Sequence, residues 1–215
     1  LPLELQHEAS RKGLVFALDG PVDVLVNNAG YGIYGAVEEI SDERAAQQVH
    51  TNLVAPIALT RGLLPGLRER GGIVIFIGSL GGRFALPFQA HYSATKAAIA
   101  AASDALRMEL KPLGVRVTCV EPGDFHTGFT EARDWGDGSL DIYRDASGRC
   151  QEVVRRTERD GANPVQVARL VHRLSFMHNP PARRPVGPWA RTLVFLQRLL
   201  PDWLRERLVA STYDQ

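Results

Sequence analysis

The sequence predicts a three-layer α/β fold in which a doubly wound parallel sheet carries helices on both faces. Three observations favour this class. Short apolar runs alternate with longer amphipathic stretches, as in repeated βαβ units. The apolar runs are hydrophobic nearly throughout, which is typical of strands buried on both faces. Polar residues and glycines follow the runs, where open α/β sheets place their ligand-binding crevice.

Three apolar runs are the predicted strands. VDVLVNNAG (22–30) indicates a buried strand over 22–28 that ends in a glycine turn. GIVIFIGS (72–79) is apolar nearly throughout and predicts a central parallel strand. VRVTCVEPG (115–123) predicts a third strand that Pro-Gly terminates.

The amphipathic stretches between these runs predict the helices. Residues 36–50 and 52–69 predict two helices, with Ser41-Asp42-Glu43 as a start signal inside the first. Residues 88–111 predict a long alanine-rich helix, which the Pro and Gly after it close. We therefore expect the helices and strands to alternate as far as residue 123.

The pattern loosens beyond that point. Residues 124–150 are rich in Gly, Asp and aromatics and predict a long loop, which in a compact domain is usually functional or mobile. Asn163-Pro164 begins a predicted helix that runs to about residue 176, with Pro at its first position. The proline-rich residues 179–188 predict an extended connector.

The C-terminal tail, residues 189–209, is amphipathic, and Pro201 divides it into two short predicted helices. Leucines and tryptophans along it are interspersed with arginines. An amphipathic tail of this kind can lie on a membrane surface, or it can pack over the cleft or against a partner subunit. We expect one of the two packed arrangements. The chain contains no internal repeat or linker, so residues 1–215 are predicted to form a single domain.

The beginning of the sequence leaves the predicted sheet incomplete. Residues 22–28 are apolar on both faces, yet nothing in residues 1–20 is long enough to supply further strands beside them. Natural proteins cover such an edge because a bare one invites aggregation. We therefore expect another segment to pair with this strand and expect the sequence to be incomplete at its N-terminus.

Composition excludes several classes of protein. The 215 residues carry 25 Lys and Arg against 24 Asp and Glu, a net charge of +1 that argues against a nucleic-acid binder. Two cysteines are too few for a disulfide scaffold and favour a reducing compartment, hence a cytoplasmic location. Neither H-E-x-x-H nor C-x-x-C occurs, so we expect no metal site.

One pair of residues suggests proton chemistry. Tyr92 and Lys96 are four apart in a predicted helix and therefore share a face. A lysine ammonium beside a tyrosine lowers the pKa of the phenol, which would make Tyr92 a proton donor and acceptor near neutral pH. The three predicted strands end in Asn27-Asn28-Ala29-Gly30, in Ser79 and in Pro122-Gly123. Because the carboxyl ends of parallel strands lie at one edge of the sheet, we expect these residues to meet at one crevice.

These motifs resemble the short-chain dehydrogenase/reductase family. The matching positions, in order along the chain, are Asn-Asn-Ala-Gly at 27–30, Asn52, Ser79, Tyr92-Ser-Ala-Thr-Lys96, Pro122-Gly123 and Thr127. GYGIYGAVEE (30–39), ALPFQAHYSATKAA (85–98) and VEPGDFHTGF (120–129) resemble more narrowly the hydroxysteroid and retinol dehydrogenase-like branch. The resemblance implies a Rossmann-type fold and hydride transfer between NAD(P)(H) and an alcohol or carbonyl.

The resemblance also implies the catalytic roles. Tyr92 would be the acid/base, and Ser79 would hydrogen-bond the substrate oxygen. Lys96 would lower the pKa of Tyr92 and hold the nicotinamide ribose. Asn52 would hold a water that links Lys96 to solvent.

The cofactor would lie along the strand ends. Asn28, Ala29 and Gly30 would shape the strand end beside it. Pro122, Gly123 and Thr127 would flank the nicotinamide, with Thr127 near its carboxamide. Glu4 and Leu5 resemble the end of the family's third strand, where they would border the adenine, and about 50–60 residues including the Gly-rich phosphate-binding turn would precede them. The family branch favours NADP slightly over NAD.

The substrate side is less defined. Aromatic and aliphatic residues near the cleft, Phe125 among them, predict an apolar pocket for a steroid-, retinoid- or lipid-like carbonyl. A catalytically silent NAD(P)-binding regulatory or scaffold protein is the alternative. Halide elimination on the same fold normally replaces the lysine with arginine, and Lys96 argues against it. We expect a homodimer or homotetramer that acts on a small molecule.

Overall fold

The computed structural model describes residues 3–138 and 140–213. The strands within these residues are β1 Val24–Asn27, β2 Ile33–Tyr34, β3 Ile73–Ile77, β4 Arg116–Pro122, β5 Asp134–Trp135 and β6 Arg183–Val186. The helices are α1 Glu8–Ala17, α2 Asp42–Val49, α3 Ala55–Arg70, α4 Ala90–Leu110, α5 Arg144–Arg159, α6 Val165–Ser175, α7 Ala190–Gln197 and α8 Asp202–Thr212.

Four of the strands form a parallel sheet in the order β1-β3-β4-β6, and β2 pairs with β5 in a separate two-stranded ribbon. The register places Asn27 beside Phe76, and Phe76 beside Cys119. The carboxyl ends of the strands therefore finish at one edge of the sheet. The predicted α/β class with a parallel sheet is confirmed.

Helices cover both faces of the sheet. On one face α3 and α4 pack on a buried cluster that includes Phe76, Val117 and Cys119. On the other face α6 packs through Leu174 against Ile75 and its neighbours. Because β3 is buried on both faces, its five side chains are all apolar. β4 is buried as well but includes the polar Thr118 and Glu121.

The helix predictions hold with shifted boundaries. The two helices predicted over 36–50 and 52–69 form one run from α2 to α3, joined by a π-helical segment at His50–Val54. Ser41 caps this run, since its side chain accepts a hydrogen bond from the backbone N–H of Arg44. The tail forms two helices, α7 and α8, on either side of Pro201, as predicted.

Five elements were not predicted: α1, α5, β6 and the two-residue strands β2 and β5. α5 is amphipathic and buries Cys150, Val153 and Val154, but it begins inside the Gly- and Asp-rich stretch that predicted a loop. The segment predicted as an extended connector contains β6, which pairs with β4. Pro185 is compatible with a strand there because β6 lies at the edge of the sheet.

The strand β1 lies at the other edge of the sheet. Val24 and Val26 are 40% and 38% exposed. Nothing in residues 3–138 or 140–213 pairs with the outer side of this strand. No described helix combines the length and the apolar character that crossing a membrane requires.

Candidate active site

A cavity of about 890 Å³ opens at the carboxyl ends of β1, β3 and β4. Ten of the site residues predicted from the sequence line it: Asn28, Ala29, Gly30, Ser79, Tyr92, Lys96, Pro122, Gly123, Phe125 and Thr127. Asn52 lies behind this lining, whereas Glu4 and Leu5 are elsewhere, in the segment that leads to α1.

Ser79 follows β3 directly and caps the short 3₁₀ turn Leu80–Gly82. Its hydroxyl oxygen accepts a hydrogen bond from the Gly81 backbone N–H at 2.9 Å. Gly81 has to lack a side chain, because a Cβ there would lie 3.2 Å from Cε1 of Tyr92 and 3.3 Å from Oγ of Ser79. The turn thus lets the phenol ring approach the serine closely.

Tyr92 lies in the first turn of α4 with its side chain buried. Its side chain lines the cavity together with Ser79, and its ring packs 5.8 Å from that of Phe129. Burial raises the pKa of Tyr92, and this outweighs the lowering by the Ser79 hydrogen bond and the charge of Arg133. The phenol is therefore protonated at neutral pH.

Lys96 lies one helical turn after Tyr92, and its ammonium is 5.8 Å from the centre of the tyrosine ring. It donates a hydrogen bond to the Ile77 carbonyl oxygen at 2.9 Å. Burial lowers the pKa of Lys96 to about 8. The sequence predicted that Lys96 lowers the pKa of Tyr92. In the structure the pKa of Tyr92 is raised instead, because desolvation of the phenolate dominates at this tyrosine.

Asn52 is buried in the π-helical segment, an irregularity often found at functional sites. Its side chain accepts from the Tyr31 N–H at 3.1 Å and donates to the Tyr31 carbonyl at 2.8 Å and to the Thr95 hydroxyl at 3.2 Å. The Thr95 hydroxyl donates in turn to the Tyr92 carbonyl at 2.9 Å. Asn52 therefore ties the segment after β1 to the turn of α4 that carries Tyr92.

The strand ends fit the nicotinamide half of a dinucleotide. A Cβ on Gly30 would lie 3.0 Å from Oδ1 of Asn52 and 3.7 Å from Nζ of Lys96, so a side chain there would crowd the ammonium. The Gly123 N–H donates to the Val186 carbonyl at 2.9 Å, which fixes the end of β4 against β6. The bare backbone of the strand ends leaves room for a flat nicotinamide ring. The Lys96 ammonium can donate hydrogen bonds to the hydroxyls of the ribose.

The opposite side of the cavity is apolar. α7, α8 and the segment between them contribute its aliphatic wall: Leu193, Leu196, Leu200, Leu208 and Val209. Gln197 anchors α7 by donating to the Arg83 carbonyl at 2.9 Å. The tail therefore packs over the cleft, which is one of the arrangements that the sequence left open.

The aromatic residues predicted near the cleft divide into two groups. Phe84, Phe125 and Phe129 line the cavity. Phe88, in contrast, packs beside the ring of Tyr34, with centroids 5.9 Å apart. Their positions in the sequence placed all four residues close to the site. Only the tertiary packing shows which of them line the cavity and which one packs in the core.

Sequence reasoning missed four charged residues that line the cavity: Asp124, Arg133, Glu158 and Arg205. The buried Arg133 guanidinium donates to the side chains of Gln89 and Glu158 and lies 5.1 Å from the centre of the Phe129 ring. The position of Asp124, directly after Pro122-Gly123 at a strand end, could have drawn attention to it. Arg133 and Glu158 carried no such signal, because they come from a predicted loop and an unpredicted helix.

Comparisons with known proteins agree with this geometry. A family model described as "short chain dehydrogenase" matches residues 6–136. The chain is 34% identical over 198 residues to a "3-ketodihydrosphingosine reductase" of Bacteroides thetaiotaomicron, covering 91% of this chain and 72% of that protein.

Two solved structures are also similar. A short-chain dehydrogenase from Streptomyces avermitilis superposes with a TM-score of 0.79 at 31% identity, over 95% of this chain and 78% of its own. A closed serine dehydrogenase complexed with NADP+ gives a TM-score of 0.72 at 28% identity, over 86% of this chain and 74% of its own.

Proposed function

Because this chain belongs to the short-chain dehydrogenase family and is therefore an NAD(P)-dependent oxidoreductase, we propose that it interconverts a lipid-like carbonyl and its alcohol. One observation carries the proposal. Ser79 and Tyr92 line the same cavity as an aliphatic wall from the C-terminal helices. A catalytically silent scaffold would have no need of that pairing.

In the reducing direction, a nicotinamide held at the strand ends would supply the hydride that the carbonyl carbon accepts. Tyr92 gives its hydroxyl proton to the carbonyl oxygen as the C=O π bond is replaced by C–H and O–H bonds. Ser79 donates a hydrogen bond to the same oxygen and stabilises its developing charge. The raised pKa of Tyr92 keeps the proton in place for donation.

We propose NADP(H) as the cofactor in preference to NAD(H). Lys96 would hold the nicotinamide ribose, Asn28–Gly30 and Pro122–Gly123 would border the ring, and Thr127 would contact the carboxamide. Glu4 and Leu5 remain proposed contacts to the adenine. The NADP+ in the serine dehydrogenase structure supports the choice. Comparing NADPH and NADH as reductants of one ketone tests it.

The substrate is proposed to be lipid-like rather than steroid- or retinoid-like. The aliphatic wall suits an acyl or alkyl chain. The Bacteroides relative is named for a long-chain ketone, 3-ketodihydrosphingosine. That ketone and the serine of the similar structure both carry an amino group on the carbon next to the reacting carbon.

Replacing Tyr92 by Phe tests the mechanism. Removing the hydroxyl removes the proton donor, so we expect kcat to fall by about 10²–10⁴-fold while dinucleotide affinity changes little. The assay follows oxidation of NADPH with 3-ketodihydrosphingosine. The matched control is Tyr143→Phe, whose hydroxyl bonds Glu38 outside the cavity. Near-normal turnover in Tyr92→Phe would contradict the proposed mechanism.

We also propose a cytoplasmic homodimer or homotetramer. The two cysteines, Cys119 and Cys150, are both free and buried, which suits a reducing compartment. The exposed apolar residues of the β1 edge, Val24 and Val26, suit association. Light scattering coupled to gel filtration measures the mass, and cell fractionation the location.

A further inference from the structure

Asp124 is a carboxylate at the carboxyl end of β4, directly after the Pro122-Gly123 turn. Its backbone is held in place, since its carbonyl accepts a hydrogen bond from the Ala162 N–H at 3.1 Å and the next residue, Phe125, forms a bridge to the same alanine. Its side chain lines the cavity and is accessible from it. The protein therefore presents a fixed negative charge to whatever binds there.

This charge shares a cavity with the reacting centre, since Asp124, Ser79 and Tyr92 all line it. The carboxylate of Asp124 helps to raise the pKa of Tyr92, and it does the same at Tyr213, the residue that follows α8. It is thus within electrostatic reach of both the proton donor and the end of the aliphatic wall. A substrate that touches both walls has to pass beside it.

The other charged groups that line the cavity are engaged. Arg133 is paired with Glu158, Arg205 with Asp202, and Lys96 with the Ile77 carbonyl. Within residues 3–138 and 140–213, Asp124 has neither an ion pair nor a side-chain hydrogen bond. Burial, and then the nearby charge of Glu158, raise its pKa. The Asp124 carboxylate faces the open cavity and no cation among the described residues pairs with it, so it is available to pair with a cationic ligand.

We propose that Asp124 binds the ammonium group of an α-amino ketone, or of the amino alcohol formed from it. This inference rests on the proposed function. In such a molecule the amine and the carbonyl lie on adjacent carbons, so one substrate can place its oxygen at Ser79 and Tyr92 and its ammonium at Asp124. The alkyl chain then extends along the wall formed by α7 and α8.

An ammonium suits the site better than a neutral group does. A hydroxyl could hydrogen-bond the carboxylate but would leave the negative charge uncompensated in the cavity, whereas an ammonium neutralises it and makes a stronger, charge-assisted bond. Two polar anchors also fix the orientation of the carbonyl plane toward the hydride donor. The site is therefore expected to select for the amine and to form one configuration of the alcohol.

The test compares two ketones that differ in the amine alone: 3-ketodihydrosphingosine and 1-hydroxyoctadecan-3-one. For the wild-type protein with NADPH, we expect kcat/KM to favour the amino ketone by about tenfold or more, the size of a charge-assisted hydrogen bond. Asp124→Asn, which preserves shape and removes charge, should bring this ratio close to one, mainly by raising KM for the amino ketone. Asp124→Glu, which retains the charge, should keep part of the preference.

Glu131→Gln is the matched control, since Glu131 lies in the same loop as an exposed acid that does not line the cavity. It should leave the ratio as in the wild type. Equal kcat/KM for both ketones in the wild type, or an undiminished preference in a folded Asp124→Asn variant, would overturn the role of Asp124 and leave the proposed function standing. Turnover of neither ketone would overturn both.

Discussion

The two walls of the cavity are built in different ways. The catalytic wall consists of strand ends and the first turns of α4, and its side chains are buried and hydrogen-bonded to the backbone: Asn52 to Tyr31, Lys96 to Ile77. The opposite wall consists of two short helices, α7 and α8, that contribute leucines. Two of these, Leu193 and Leu196, are more than 40% exposed.

The difference separates chemistry from selection. Proton transfer requires donors held at a fixed distance, which a central sheet and buried hydrogen bonds provide. Binding an alkyl chain requires apolar area and tolerates variation in shape. Substitutions on the catalytic wall should therefore change kcat or stability, and those on the helical wall should change KM.

Among the substitutions that compare the two walls, Ser79→Ala is expected to have the largest effect. It removes the hydrogen bond to the substrate oxygen, so kcat should fall by about 10²–10³-fold, with a much smaller change in KM. Steady-state kinetics measure it, with circular dichroism to verify folding. A change confined to KM would place Ser79 with the selecting wall and contradict the division.

Asn52→Ala should reduce stability. It removes three hydrogen bonds and leaves the Tyr31 N–H without a partner, while the Tyr31 carbonyl keeps Gln48 and the Thr95 hydroxyl keeps the Tyr92 carbonyl. This should cost about 1–3 kcal/mol in the free energy of unfolding. Urea denaturation measures the loss. The control Asn179→Ala removes a single exposed bond to Arg107 and should cost less than about 0.5 kcal/mol. Equal losses in the two variants would show that the buried network adds no rigidity.

Lys96→Met should change the pH dependence of stability. The pKa of Lys96 is about 8 in the folded protein and 10.5 ordinarily, so between these values the folded state binds fewer protons than the unfolded state. Stability from this group therefore rises with pH across that window. At pH 7 the variant should be more stable than the wild type by about 2 kcal/mol, and the advantage should disappear toward pH 10.5.

The exposed Lys111 provides the control for that experiment. Denaturation curves at several pH values are compared as differences between each variant and the wild type, which cancels the contributions of other titrating groups. Lys111→Met should give a difference that does not vary across the window. An equally flat difference for Lys96→Met would mean that burial of the ammonium is not costly.

Leu200→Ala should have the smallest effect. It removes apolar area from the helical wall, so KM for a long-chain ketone should rise by about three- to tenfold with kcat unchanged. The neighbouring Leu199 is 65% exposed and does not line the cavity. Leu199→Ala should therefore leave KM as it is. A fall in kcat for Leu200→Ala would mean that this wall also positions the reacting groups.

The sequence by itself determined the sheet and most of the catalytic wall. Runs such as 72–79 are apolar throughout because both faces of a central strand are buried, and this signal depends on local residues alone. The spacing of Tyr92 and Lys96 puts them on one helix face by geometry, and the carboxyl end of a parallel strand fixes where Ser79 lies. These inferences need only the helical repeat and the strand direction.

Tertiary structure alone decided the rest. α5 and β6 pack against distant partners, such as Cys150 against Tyr34 and Arg183 beside Cys119. β6 is only four residues long and contains a proline, so its own residues give no strand pattern. α5 does have a helical pattern, but it begins inside a stretch whose Gly and Asp content predicted a loop. The direction of the pKa shift at Tyr92 depends on how much water the surrounding side chains exclude. That Asp124 lacks an ion-pair partner in the described part of the chain follows only from the three-dimensional positions of the charged groups around it. Burial and pairing are properties of the whole packed chain, and no local window of sequence contains them.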